Sequence, residues 1–150
     1  MAGQPLPISH PRLQRLYGYW STKKGQRKMP SRADIDVLDL RYVLGNIMLV
    51  DVIEGSPPRF RIRLHGSNLS ERAGYELTGK MLDELPESEF RKQVRERWTE
   101  VATTGEPRHC DRNLHVFDSR SYHYESIVLP LSADGETVNM ELVALIYRDA

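Results

Sequence analysis

The sequence has almost no cysteine, no excess of either charge and no long apolar run. Cys110 is the only cysteine among 150 residues, so the chain cannot form an internal disulfide, and no Cys/His spacing matches a structural zinc site. Basic and acidic residues both number 21, so no overall field attracts nucleic acid or an anionic membrane. No stretch approaches the roughly 20 apolar residues that span a bilayer, and the polar start is unlike a signal peptide. We therefore expect a cytoplasmic protein of one domain that binds neither nucleic acid nor membrane.

A segment from Pro11 to about Lys24 is predicted to form an amphipathic helix. Proline suits a first helical turn, and Gly25 suits the exit from the helix. The apolar side chains that recur at helical spacing within this segment are Leu13, Leu16, Tyr17 and Trp20.

Two strands are predicted next. Ile47 to Ile53 is rich in β-branched residues and apolar on both faces, which is typical of a strand that is covered on both sides. After a Gly/Pro turn, apolar and basic residues alternate from Phe60 to His65. Strict alternation places Leu64 on the apolar face and His65 on the basic face. The arginines of the basic face are predicted to pair with carboxylates on neighbouring strands, namely Asp51, Glu125 and Glu141. The less favoured alternative is an anion site or a docking patch for a partner, because the nearby carboxylates would compete with an incoming anion.

The rest of the chain is predicted to contain one long helix and three strands. Ser88 is a candidate N-cap, and Gly105 with Pro107 suits the end of the helix. The apolar stripe of this helix is Phe90, Val94, Trp98 and Val101. The three strands are expected at Arg108 to Phe117, Tyr122 to Leu131 and Val138 to Tyr147.

Five features of the sequence match one known family. They are Trp20, Met29 to Asp36, Arg63 with Gly66, Leu77 to Gly79, and Leu129 to Gly135. Together they resemble short stand-alone bacterial proteins that consist of a single PAS domain with N-terminal helices. The resemblance implies an α+β fold: a PAS-like five-stranded antiparallel sheet with helices on one face and an N-terminal helical extension. It implies that residues 1–45 form the tail and helical extension, that residues 46–150 form the PAS core, and that the first strand lies between the second and the fifth.

The resemblance also implies a place for a ligand, between the sheet and the middle helices. A ligand held there is expected to contact Met48, Val50, Val52, Phe60, Ile62, Leu64, Tyr75, Phe90 and Trp98. The alternative is a filled core, because apolar stripes at these spacings usually pack against one another. The sequence identifies no cofactor and no metal site. The histidines are scattered singly, and Cys110 is not on the helix that carries the reactive cysteine in light-sensing flavin relatives.

The N-terminal helix has two alternative roles. Its apolar stripe could cover the open face of its own sheet, or it could contact a second subunit or a partner protein. The residues concerned are Leu13, Leu16, Tyr17 and Trp20, and the sequence favours neither role.

The predicted function is that of a single-domain PAS sensor with no attached effector. Such a module would bind a small molecule, a separate signalling protein, or both. The first alternative is a constitutive interaction module, a scaffold or dimer with a filled core. An enzyme that acts on a small molecule is the least favoured alternative, because the sequence contains no recognisable catalytic arrangement.

Overall fold

The computed structural model describes residues 6–74, 76–115 and 121–148. The α-helices are α1 (Pro11–Lys24), α2 (Ser67–Ala73) and α3 (Glu89–Thr104). The strands are β1 (Ile47–Ile53), β2 (Arg59–His65), β3 (Arg108–His115), β4 (Ser121–Leu131) and β5 (Met140–Arg148). Short 3-10 helices at Arg32–Asp34, Val37–Leu40 and Leu44–Asn46 connect α1 to β1, and another at Leu82–Glu84 precedes α3. The predicted end of the third strand, Phe117, lies outside the described residues.

The five strands form one antiparallel sheet in the order β2-β1-β5-β4-β3. Strand β1 lies between β2 and β5, which explains why both of its faces are apolar. Leu49 packs on the side covered by α1, which we call the α1 face, and Val50 packs on the side covered by α3, the α3 face. The predicted α+β fold, with its five-stranded antiparallel sheet and N-terminal helical extension, is confirmed.

Helix α1 covers the sheet of its own chain. Leu13 and Leu16 are completely buried, and Trp20 is 2% exposed. The Trp20 indole N–H donates to the carbonyl of Pro130 at 2.9 Å, and the Tyr17 ring stacks on Trp20 with centroids 6.0 Å apart. The prediction that these four residues contact a partner or a second subunit therefore requires α1 to leave the sheet.

The buried carboxylate of Glu125 fixes the segment that leads into α1. It accepts hydrogen bonds from the backbone N–H of Ser9 at 2.8 Å and of His10 at 3.0 Å, and from the Ser9 hydroxyl at 3.0 Å. His109 on β3 and Arg148 on β5 also bond to it. Burial by itself would raise the pKa of Glu125, but these hydrogen bonds outweigh burial and lower the pKa to about 2. We call this group of contacts the Glu125 tether.

One irregularity interrupts the pairing of β1 with β2. Leu49 is opposite Leu64, whereas Val50 is opposite Ile62, so Arg63 has no residue across from it and forms a β-bulge. Because successive side chains alternate between the faces of a strand, one additional residue reverses the faces of all side chains beyond it.

The bulge moves Leu64 and His65 to faces that strict alternation did not predict. Leu64 packs against the core on the α1 face, and His65 lies opposite Met48 on the α3 face. The expectations that Leu64 faces the middle helices and that His65 joins the arginines are therefore wrong. Arg63 itself reaches Asp51, with 2.9 Å between nitrogen and oxygen, as predicted.

Two backbone segments come into contact where β2 passes into α2. A Cβ atom on Gly66 would lie 2.4 Å from the carbonyl oxygen of Gly45 and 2.9 Å from that of Ile47. The Gly66 N–H donates to the Ile47 carbonyl at 2.8 Å. Because every conflicting atom belongs to the backbone, only glycine permits this approach, which fixes the start of α2 beside the start of β1.

We expect Gly66→Ala to lower the free energy of unfolding by about 1–3 kcal/mol, because the added methyl group forces two backbone segments apart. Urea unfolding followed by circular dichroism measures the change. Gly18→Ala is the matched control: Gly18 lies inside α1, and a Cβ added there would meet nothing within 4 Å, so this variant should gain about 0.5–1 kcal/mol. Equal stability of Gly66→Ala and the wild type would contradict the close contact.

We expect Glu125→Gln to remove part of the acid dependence of stability. The carboxylate has a pKa of about 2 in the fold against 4.5 as its usual value, so its contribution is complete above pH 4.5 and is lost as the pH falls toward 2. That contribution is on the order of 3 kcal/mol near neutral pH. Urea unfolding across this pH range should give a flatter profile for Glu125→Gln, whereas the exposed Glu96→Gln should follow the wild type.

Candidate functional site

A cavity of about 490 Å³ lies between the α3 face of the sheet and the two helices that cover it. The sheet contributes side chains from four strands, namely Met48, Ile62, Ser126, Val128, Val143 and Leu145. The apolar side chains contributed by the helices and by the segment between them include Leu69, Leu77, Leu82, Phe90, Val94 and Trp98. Most of the wall is therefore apolar, as in sites for small organic ligands.

Four of the nine residues predicted for the pocket line this cavity: Met48, Ile62, Phe90 and Trp98. Val50 and Phe60 belong to the adjoining apolar cluster, where the Phe60 ring meets Trp98 edge-on with centroids 5.7 Å apart. Val52 packs against the clusters on both faces. Leu64 lies on the opposite face because of the bulge at Arg63, and Tyr75 lies outside the described residues.

His65 lines the cavity, which sequence reasoning missed. Its side chain is 4% exposed, and its Nδ1 accepts a hydrogen bond from the Leu77 N–H at 3.2 Å. Burial lowers the pKa of His65, and the nearby Glu76 carboxylate only partly opposes this effect. The ring is therefore neutral at neutral pH and offers hydrogen bonds without a charge. Regular alternation carries no signal for the bulge, so the pattern alone could not place His65 here.

Arg97 and Tyr124 form a polar contact beside the cavity. The Arg97 guanidinium, which lines the cavity, donates to the Tyr124 hydroxyl at 3.0 Å. Burial raises the pKa of Tyr124, so the phenol keeps its proton. The Cys110 sulfur lies 3.7 Å from the same hydroxyl oxygen, on strand β3 as predicted.

Two buried polar side chains on the α3 face have no hydrogen-bond partner among the described residues. They are Ser126, a residue of the cavity wall, and Glu141, opposite Val50. Burial raises the pKa of Glu141 well above its usual value, so its side chain is a neutral carboxylic acid. The prediction that Glu125 and Glu141 pair with the arginines of β2 is wrong, since Glu125 anchors the tether and Glu141 is buried on the α3 face.

The described part of the chain contains no group of three His, Cys, Asp or Glu side chains arranged to hold a metal ion. No helix within the same residues is both long and apolar enough to cross a membrane.

The sequence of this chain matches a known family of proteins. The family model described as PAS domain matches residues 8–145. The chain belongs to the PAS domain family. A comparison with curated proteins gave no significant match.

Solved PAS structures resemble this chain in fold. The PAS domain of BvgS from Bordetella pertussis has a TM-score of 0.55 and 18% identity, over 76% of this chain and 87% of that one. A light-oxygen-voltage domain studied with a flavin analogue has a TM-score of 0.54 and 17% identity, over 75% and 84%. The light state of the blue-light photoreceptor Aureochrome1 LOV has a TM-score of 0.50 and 16% identity, over 75% and 88%. At these identities the likeness establishes the PAS fold and nothing about the ligand.

We expect Glu141→Met to stabilise the protein at neutral pH by about 1–3 kcal/mol, because it replaces an unpartnered buried acid with an apolar side chain. The raised pKa of Glu141 means that the unfolded chain ionises above pH 4.5 while the fold retains its proton. Wild-type stability is therefore progressively lost as the pH rises above 4.5, and the advantage of Glu141→Met should grow over that range. Urea unfolding at several pH values tests this, with the exposed Glu136→Met as the control. Parallel pH profiles for Glu141→Met and the wild type would contradict it.

Proposed function

We propose that this chain is a cytoplasmic PAS sensor module that binds a small molecule in the cavity and signals to a separate protein through α1. The cavity is the observation that carries the proposal. Its volume of about 490 Å³ falls within the range of roughly 300–1,000 Å³ for sites that hold small ligands. A filled core, as a purely constitutive interaction module would have, does not account for this space.

Two pairs of consecutive residues connect the cavity with the Glu125 tether. On β4, Ser126 lines the cavity while Glu125 bonds to the segment before α1. On β5, Tyr147 lines the cavity while Arg148 bonds to Glu125. A ligand that displaces either strand at the cavity therefore also displaces the anchor of α1 on the other face.

The proposed signal is a shift between two arrangements of α1. In the first, α1 covers the sheet as described here. In the second, the Glu125 tether is broken and the stripe of Leu13, Leu16, Tyr17 and Trp20 is exposed to a signalling partner or to a second subunit. A ligand changes the balance between them only by its different affinity for each arrangement.

Native mass spectrometry of the freshly purified protein tests for a bound molecule, and two tryptophan substitutions on α3 test its location. Val94 lines the cavity, so we expect Val94→Trp to fill it, abolish ligand binding and leave the fold intact. Val101 is completely buried on the same helix but is not in the cavity wall. Val101→Trp should therefore overpack the core and cost about 1–3 kcal/mol.

Mass that is lost on denaturation and missing from Val94→Trp supports the proposal. The same added mass on Val94→Trp would place the ligand elsewhere. If Val94→Trp is destabilised as much as Val101→Trp, the space is too small for a ligand and the interaction module becomes the better account.

A further inference from the structure

One arginine beside the cavity has no carboxylate partner among the described residues. Arg95, on the same helix, pairs with Glu87 at 3.1 Å, and Arg108 pairs with Glu100 at 2.8 Å. Arg97 bonds instead to the neutral Tyr124 hydroxyl and makes no ion pair within the described part of the chain. A partly buried guanidinium without a counter-ion is unfavourable, so this position is suited to an anion from outside the chain.

Ser126, whose hydroxyl has no hydrogen-bond partner among the described residues, lines the same cavity as this arginine. Ser126 and Tyr124 project from the same face of β4, two residues apart, which separates their Cα atoms by about 7 Å. Since Arg97 bonds to the Tyr124 hydroxyl, a group between Arg97 and Ser126 would meet one charged and one neutral donor. The neighbouring wall is apolar, with Leu145 and Val128 on the same face.

The net charge of the cavity wall limits the charge of its ligand. Three arginines, at positions 72, 91 and 97, and two glutamates, at positions 87 and 89, line it, which leaves one positive charge in excess. Arg72 lies over the Tyr147 ring, and Arg91 donates to the Leu82 carbonyl. One excess positive charge is neutralised by a monoanion, whereas a dianion would leave the cavity with an excess negative charge.

We infer that the cavity binds a small monocarboxylic acid with an apolar body, whose carboxylate bonds to Arg97 and Ser126 and whose body packs against Val94, Trp98 and Leu145. This inference rests on the proposed function, because it requires the cavity to be a ligand site. It adds the chemical class of the ligand and assigns Arg97 as the residue that selects for it.

The test compares octanoate with octanamide, which has nearly the same shape and no charge. Each is titrated into the ¹⁵N-labelled full chain while the two tryptophan indole N–H signals are followed. Trp98 lines the cavity and reports binding, whereas Trp20 is buried on the α1 face and reports any movement of α1. We expect octanoate to bind at least about tenfold more tightly than octanamide, the size of effect that one charge-assisted hydrogen bond gives.

Arg97→Gln should bring the two affinities to within about twofold of each other without weakening octanamide binding. Lys92→Gln removes the same charge from an exposed position of α3 and should leave the preference for octanoate unchanged. Arg97→Met provides the same test if the glutamine variant does not fold.

Equal affinities in the wild type, or a preference that survives Arg97→Gln, would overturn the inference. The proposed function would then stand, because octanamide still shifts the Trp98 signal. If neither compound shifts that signal, the inference fails, and the native mass spectrum of the purified protein separately decides whether the cavity holds a ligand.

Discussion

The fold depends on how the sheet accommodates the carboxylate of Glu125. Removing a carboxylate from water is costly, and the cost is offset only when hydrogen bonds replace the lost solvent. Here the replacement donors come from the segment before α1, from β3 and from β5. The hydrogen bonds to one carboxylate therefore hold three separate parts of the chain together. The apolar stripe of α1 provides the hydrophobic contact with the sheet, but the Glu125 tether sets where that contact begins.

Glu141 shows the other way in which a sheet can contain a carboxyl group. It is as deeply buried as Glu125 but receives no hydrogen bond from the described residues, and it therefore remains protonated. The two residues are glutamates on adjacent strands that face opposite sides of one sheet, and hydrogen-bond donors surround only Glu125. Whether a buried carboxyl group is ionised therefore depends on the number of hydrogen-bond donors around it as well as on its burial.

The sequence predicted the elements whose signals are local. The bounds of α1 and β1, the Ser88 cap of α3 and the α3 stripe all follow from spacing and capping within a few residues, and all are confirmed. For the cavity, the sequence predicted where a ligand would lie but not whether a space exists there. Whether facing side chains leave a space depends on distances between elements, which no local pattern encodes. The role of Glu125 was missed because its donors lie outside any local pattern, two of them more than 100 residues away in the sequence. The role of Glu141 was missed because it depends on the absence of donors among the described residues.

The bulge at Arg63 has a consequence for how relatives of this chain are compared. Substitution at positions 64 and 65 changes the size or polarity of a side chain but keeps each position on its own face of the sheet. Loss of the single residue at the bulge would make the pairing regular and leave Leu64 opposite Leu49 and His65 opposite Met48, each on its present face. A relative of the same length whose strand has no bulge would instead bring the leucine into the cavity and move the histidine to the α1 face. In an alignment the first relative would show one gap and keep its pocket, whereas the second would show no gap and would have lost a neutral hydrogen-bonding ring. An alignment without gaps along this strand is therefore no guarantee of the same cavity chemistry.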